Sequence, residues 1–388
     1  MRTLIPWAQC ARRSRMAGIA AVVAAAAAGP VGAQSSIGTQ GFGYPPGQLS
    51  TRAFATGGAI AEVDPWSPVN PSSLAMLGGR ILFFQIEPEY RKVTLPTGSD
   101  RTTQARYPLV LGAMRGGENW VIGVSASTLL DRTSRTETIT RQLSGADSML
   151  VTTTFSIDGA VNDLRLAAGW QALPWLRVGA GLHAFTGRNL VTLEETFSDT
   201  TSFVGFQQAR DLSFSGGGVS FGGQFVSKLF LAAASYRVGG SMHLTAGDTL
   251  LGDAGVPSKF GASIAYVGST NTTIAIRTSF DGWSALNGLG SPGLRAQDTW
   301  DSSIGADIAG PRVASRPLML RVGARLRDLP FEAAGRGVTE RSVMAGLGTF
   351  WAQGHLLTDL AVIRADRDAG LPASEQAWTL SIGVTIRP

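Results

Sequence analysis

Trp378-Thr379-Leu380-Ser381-Ile382-Gly383-Val384-Thr385-Ile386-Arg387 is the stretch that decides the fold. Its bulky apolar residues fall at every second position. The residues between them are Thr, Ser, Gly, Thr and Arg. A two-residue period belongs to a β-strand whose faces meet different surroundings. In a soluble sandwich the outer face of such a strand would be strongly charged. Here the second face is small and polar, which suits a lumen, while the bulky face suits lipid.

The same pattern recurs upstream. Leu318, Leu320, Val322, Ala324 and Leu326 oppose Arg321, Gly323, Arg325 and Arg327. Leu176, Val178, Ala180 and Leu182 oppose Arg177, Gly179, Gly181 and His183. Reading these runs between turn signals predicts fourteen strands, at 80–91, 105–115, 119–130, 152–170, 175–186, 211–227, 229–245, 257–267, 271–283, 299–311, 317–329, 338–353, 355–367 and 376–387. Most last about ten to fourteen residues, the length of a tilted membrane crossing, whereas soluble strands average about five or six. An even count fits a bacterial single-chain barrel. Pro88 interrupts the first strand, and 187–210 reads either as a further strand pair or as a long loop.

Composition agrees. The chain is 44% hydrophobic and 16% charged, with 49 glycines; soluble proteins carry about 25% charged residues and about 7% glycine. No run after residue 33 reaches the ~18 apolar residues of a spanning helix. Residues 1–33 read as a secretory signal: Arg12, Arg13 and Arg15, then an apolar run from Met16 to Gly29, then Val31-Gly32-Ala33 before a cut at Gln34. Losing the four arginines of 1–33 takes the formal charge from +5 to +1, which removes the case for a nucleic-acid partner. The lone cysteine, Cys10, lies in the signal, so the mature chain has neither disulfides nor cysteine chemistry.

Connections predict two unlike ends. Pro174, Ser227-Lys228, Gly268–Asn271 and Gln353-Gly354 mark tight turns; 92–104, 131–151, 187–210, 246–256, 284–298 and 368–375 read as longer polar loops. Short turns at one end and long loops at the other are the outer-membrane pattern. Residues 34–79, rich in Gly, Pro, Ser and Ala, lack a strand period and read as a disordered leader or a plug in the lumen.

Within that segment, Ala53-Phe54-Ala55-Thr56-Gly57-Gly58-Ala59-Ile60-Ala61-Glu62-Val63-Asp64 leads through Pro65-Trp66 to Asn70-Pro71-Ser72. This resembles the start of the FadL/TodX type of outer-membrane transporter for long-chain fatty acids and hydrophobic compounds. In that family a Gly/Ala-rich stretch with an acidic residue precedes an Asn-Pro-Ala element. Arg327-Asp328-Leu329-Pro330-Phe331, Thr339-Glu340 and Gly346-Leu347-Gly348 resemble C-terminal strands of such proteins and of relatives linked to protein secretion. The resemblance implies a fourteen-stranded barrel with an N-terminal hatch. Two departures stand out: Ser72 replaces the Ala of the motif, and the chain ends Ile386-Arg387-Pro388, whereas such barrels commonly end on an aromatic residue.

Candidate functional residues follow. Arg165, Arg177, Arg277, Arg321 and Arg325, with Asp307 and Asp359, face inward by parity. They read as an ion-pair network bracing the lumen or, for Arg177, Arg321 and Arg325, as a head-group site for a carboxylate. Phe54 and Asn70 are expected to touch substrate at the hatch, after it has met Phe197, Phe203 and Phe206 of the outer loops. Gly216, Gly217 and Gly218 are expected to form a lateral gate or merely a curved strand, because interior glycines weaken pairing. Trp120, Trp170, Trp175, Trp351, Tyr236 and Tyr266 are expected at the membrane interfaces. The histidines, His183, His243 and His355, lie on separate segments; no catalytic, cofactor or metal motif is present, so no enzyme and no metal or other cofactor is expected.

The expectation is thus an all-β, transmembrane antiparallel barrel: signal 1–33, hatch 34–79, barrel 80–388. It would act as a monomer in the outer membrane, in contact with its lipid, for passive uptake of a hydrophobic or amphipathic, fatty-acid-like small molecule. The alternative is a non-transport barrel serving as scaffold for a secreted-protein or surface-protein partner.

Overall fold

A computed structural model of the chain describes residues 38–39, 42–95, 98–144, 147–198, 203–269, 272–289, 295–313, 316–333 and 335–388. The expected signal 1–33 lies outside the described residues. Sixteen strand segments, all antiparallel, make the wall: β1 (Ile81–Leu95), β2 (Gly98–Arg115), β3 (Trp120–Asp131), β4 (Ser134–Ser144), β5 (Asp147–Leu173), β6 (Leu176–Phe197), β7 (Phe206–Val226), β8 (Phe230–Ala246), β9 (Thr249–Gly255), β10 (Lys259–Ser269), β11 (Thr272–Asp281), β12 (Thr299–Val313), β13 (Arg316–Ala333), β14 (Arg336–Trp351), β15 (Leu356–Asp368) and β16 (Ser374–Ile386). β3 and β4 succeed one another along β5, and β9 and β10 along β8. The sixteen segments therefore fill fourteen places, and β1 pairs with β16 to close the ring. Each place matches one of the fourteen strands read from the sequence.

The two faces behave as the period requires. Leu182, Val343, Val124 and Ile304 are more than half exposed on the outside, while Arg325, Asp301, Arg277 and Asp163 are buried inside. Leaving so many large apolar side chains in water would forgo about 25 cal/mol for each Å² of apolar surface that lipid covers, so the outward belt fixes the barrel as transmembrane. Trp120, Trp170 and Trp351, near one end of their strands, and Trp175, in the β5–β6 turn, stand on its outer surface, as interfacial aromatics do. Pro88 is accommodated inside β1 by a register shift between Gln85 and Glu87, the usual way a strand absorbs a residue that cannot donate.

The expected long loops need correction. β5, β6 and β7 hold 27, 22 and 21 residues, about twice the nine to eleven of a crossing. Most of 92–104, 131–151 and 187–210 is paired strand, projecting beyond the apolar belt. Thr136, Thr138 and Thr140 of β4 show why the sequence read as loop: both faces are polar, so no apolar period appears, yet Thr is a good strand former.

Candidate functional site

Residues 42–77 run through the barrel interior and are almost wholly buried. Local capping shapes the segment. Ser50 accepts from Ala53 N at 3.1 Å and caps the one-turn helix α1 (Thr51–Ala55). Asn70 accepts from Ser72 N at 3.0 Å, and Pro71 opens the 3₁₀ helix Pro71–Met76. The Asn70 amide also donates to Glu62 O at 2.8 Å, folding the segment onto itself.

The wall grips this segment on several sides. Gln48 donates to Asp163 Oδ2 of β5 at 2.9 Å, and Thr51 and Ser381 of β16 share a hydrogen bond of 2.9 Å. Arg52 reaches Asp307 of β12 at 3.0 Å. Glu62, fully buried, accepts from Ser235 of β8 at 2.7 Å and pairs with Arg277 of β11 at 3.2 Å. Inward glycines make the room: a Cβ on Gly305 or Gly323 would collide with the backbone of Thr56, and one on Gly222 with the Asn70 side chain. Much of the chain's glycine on the inner face is thus the imprint of residues 42–77.

A second network centres on Tyr44. Its hydroxyl donates to Glu340 Oε2 at 2.9 Å, and four guanidinium groups, from Arg91, Arg106, Arg327 and Arg367, lie within 5.5 Å of its ring centre. Burial pushes the Tyr44 hydroxyl above its ordinary pKa, so it stays protonated and donates. Glu89, Glu340 and Glu375 balance the arginines. Such a cluster tolerates burial only because each charge is paired and hydrogen-bonded.

The wall is interrupted beside Tyr44. β2 pairs with β3 only between Leu109–Arg115 and Val121–Ser127, and β4 pairs only with β5. Above Leu109, therefore, β2 has no neighbour on this side among the described residues. β3 instead turns inward: Ser127 to Asp131 are consecutively buried, breaking the alternation. Asp131 then forms a backbone bridge with Tyr44. From β2, Gln104 and Arg106 reach Asp131 Oδ2 at 2.6 and 2.5 Å. The break opens level with Tyr107, which lies on the outer surface near Phe84.

A packed apolar cluster adjoins this break. Phe42, Leu130, Phe185, Phe214, Met242, Trp283, Leu286, Leu289 and Phe331 pack as one cluster. The 3₁₀ helix Trp283–Leu289 closes it toward the long hairpins. Arg132, at the β3–β4 junction, lies 5.0 Å over both Phe42 and Phe214; its Nε donates to Phe42 O at 2.9 Å, and its buried Nη1 has no partner.

The residues singled out from the sequence fall as follows. Arg321 is held by Asp307 at 3.2 Å and Asp359 at 2.5 Å, and Arg325 by Asp301 at 2.7 Å. Arg177 is half-buried and touches Gln224 at 3.4 Å, away from the other two. Phe54 packs in a separate cluster with Leu49, Ala59 and Ile60, and Asn70 serves as a cap. The five are not brought to one place. Gly216 to Gly218 lie in β7, paired without interruption to β6 and offset from β8 by a single bulge. Asp163, His183 and Ser220 form a chain with 2.8 Å links in the order of a charge relay. Ser220 is 1% exposed and the carboxylate is also held by Gln48, so the chain ties three wall strands to the interior segment. Tyr44, Asp131 and Arg132 escaped sequence reasoning. Only the two-sided burial of 127–131, written as the apolar pair Leu129-Leu130 out of alternation, hinted at the break.

No protein-family profile matches the chain, and no curated protein matches it. Solved structures do. A Pseudomonas aeruginosa FadL homologue is 12% identical, with 89% of this chain covering 99% of that one at a TM-score of 0.60. The P. putida toluene transporter TodX is 14% identical, over 88% and 98% of the two chains, at 0.58. The Ralstonia pickettii toluene transporter TbuX is 14% identical, over 87% and 98%, at 0.55. At such identities the shared property is the fold, and the chain has the fourteen-stranded barrel fold of these FadL- and TodX-type proteins.

Proposed function

We propose that the chain is an outer-membrane channel through which a hydrophobic or amphipathic small molecule passes without energy input. The observation that carries this reading is the juxtaposition of the packed apolar cluster, the unpartnered Arg132 Nη1 and the break between β2 and β4. A substrate enters from the side of the long hairpins and displaces the packing of Phe42 against Phe214 and Phe331. An amphipathic one, fatty-acid-like, sets its head group on Arg132 and its tail among the aromatic rings. It leaves sideways through the break, at the level of the apolar belt, and so never crosses a polar layer. Residues 42–79 act as the hatch: the Tyr44–Asp131 bridge holds the break closed on its inner side and yields during passage. Each contact must be weak enough to release. The fold shared with structures described as toluene transporters and a FadL homologue supports the substrate class.

The test is uptake of a hydrophobic fluorescent probe by liposomes holding the folded full chain. Uptake above that of protein-free liposomes, without an energy source, is expected. Uptake equal to the protein-free control overturns the channel reading and turns attention to the scaffold alternative, whose partners would meet the projecting β4–β5 and β6–β7 pairs.

A further inference from the structure

On the outer surface, β12 to β15 leave a groove of about 760 Å³. Its floor is apolar, built from Ile304, Ala324, Leu326 and Val343, and its rim carries Arg341 and Arg364. Register places these residues in two neighbouring rows. Leu326 sits opposite Arg341, and Arg341 opposite Asp366. One step toward the belt, Val343 sits opposite Arg364, and Arg364 opposite Trp378, whose neighbour on β1 is Tyr90. The change from aliphatic to aromatic to charged along these strands marks the upper edge of the apolar belt. The rim arginines therefore lie at head-group depth, on the side of the projecting hairpins.

We propose that this groove binds a phosphorylated glycolipid of the outer leaflet, its phosphate on Arg341 and Arg364 and an acyl chain along Ile304, Ala324, Leu326 and Val343. The occupant is argued from charge and depth. Guanidinium groups are forks matched to phosphate oxygens, and basic pockets at the membrane edge take anionic head groups. Arg364 stands 5.8 Å over the Trp378 ring, which holds it at the interface. Asp366 lies 3.7 Å from Arg364 and is the carboxylate within the rim; it leaves the pair net positive. Lys92 and Arg101 continue the charged row across β16 to β1 and β2, through Gln376. Arg341 has no ion-pair partner among the described residues, as expected of a group that meets a lipid anion. The site rests on the outer-membrane reading above but not on transport.

The experiment is native mass spectrometry of the folded full chain in detergent, with added diphosphorylated lipid A or the same glycolipid stripped of its phosphates. We expect a one-to-one adduct with the phosphorylated lipid, weakened about tenfold in the Arg341→Gln/Arg364→Gln double variant, for loss of charge-assisted hydrogen bonds worth about 1.4 kcal/mol or more. Arg210→Gln, an exposed arginine on the projecting part of β7, should leave it unchanged. An equally strong adduct in the double variant, an equal adduct with the dephosphorylated lipid, equal weakening by Arg210→Gln, or no adduct would each overturn the site. Because these side chains are external, heat-dependent migration of the variants should stay that of the folded barrel. Failure here would leave probe uptake intact, and absence of uptake would leave the adduct intact.

Discussion

Tyr44 and Asp131 exchange both of their backbone hydrogen bonds, Tyr44 N to Asp131 O at 2.7 Å and Asp131 N to Tyr44 O at 2.9 Å. A residue of the interior segment thereby occupies the ladder position on β3 that β2 leaves vacant. Backbone groups at a wall break would otherwise be orphaned away from water. The bridge spares Asp131 that penalty and ties the β3 edge of the break to the interior segment.

The grip on the interior segment should be breakable at Glu62. Glu62→Gln removes the charge opposite Arg277, and stripping one partner from a buried pair costs about 3–5 kcal/mol. Arg277 keeps Asp301 at 3.2 Å, so the wall should survive while the segment loosens. Limited proteolysis of the folded barrel should then cut within 42–79 much faster than in the wild type. Equal cutting rates would show that Glu62 does not anchor the segment.

Gly323→Val tests the imprint from the wall side. Its Cβ would collide with Thr56, so the segment must shift while β13 itself gains a better strand former. The expected outcome is a normally folded, heat-modifiable barrel with raised probe uptake. A barrel that folds and takes up probe at the wild-type rate would mean that Thr56 yields locally and the segment does not obstruct the path.

Arg132 should discriminate among substrates. Arg132→Leu keeps the cluster apolar and removes a buried guanidinium nitrogen without a partner, from a side chain that stands over Phe42 and Phe214. Uptake of an amphipathic carboxylate should fall about tenfold, on the scale of one charge-assisted contact, while uptake of a neutral aromatic hydrocarbon holds or rises. A parallel fall of both would assign Arg132 to the structure of the β3–β4 junction.

The strands were legible because lipid outside and a polar lumen inside write a two-residue period, as in 378–387. Where both faces meet water the period vanishes, and the projecting ends of β4 to β7 read as loops. The inward arginines were legible by parity, but their partners were not. Asp301 reaches Arg277 across the β11–β12 pairing, and Glu62 reaches it only once the interior segment is in place. The glycines were visible without their reason, since the footprint of Thr56 on Gly305 and Gly323 exists only once the segment is inside. Tyr44 stood in a stretch with no periodicity at all, and nothing local marks it as the bridge to Asp131.

The glycine run of β7 can be set against the break directly. Gly217 has only His183 O near the position of an added Cβ, at 3.8 Å, whereas Gly216 and Gly218 would meet backbone oxygens at 2.9 and 2.8 Å. Gly217→Val is therefore the clean substitution. With the way out between β2 and β4, its uptake should equal the wild type; a marked fall would return the gate to this strand.

The central claim, that the Tyr44–Asp131 bridge must open for passage, is tested by a disulfide in its place. Directly hydrogen-bonded antiparallel partners have Cα atoms about 5.5 Å apart, within the range a disulfide spans. The chain's lone cysteine, Cys10, lies in the expected signal. The measurement is hydrophobic-probe uptake by liposomes carrying Tyr44→Cys/Asp131→Cys, oxidised and then reduced, beside each single variant under both conditions. The account predicts uptake abolished in the oxidised double variant and restored on reduction, with both single variants indifferent to redox state. Equal uptake by the oxidised and reduced double variant would contradict it.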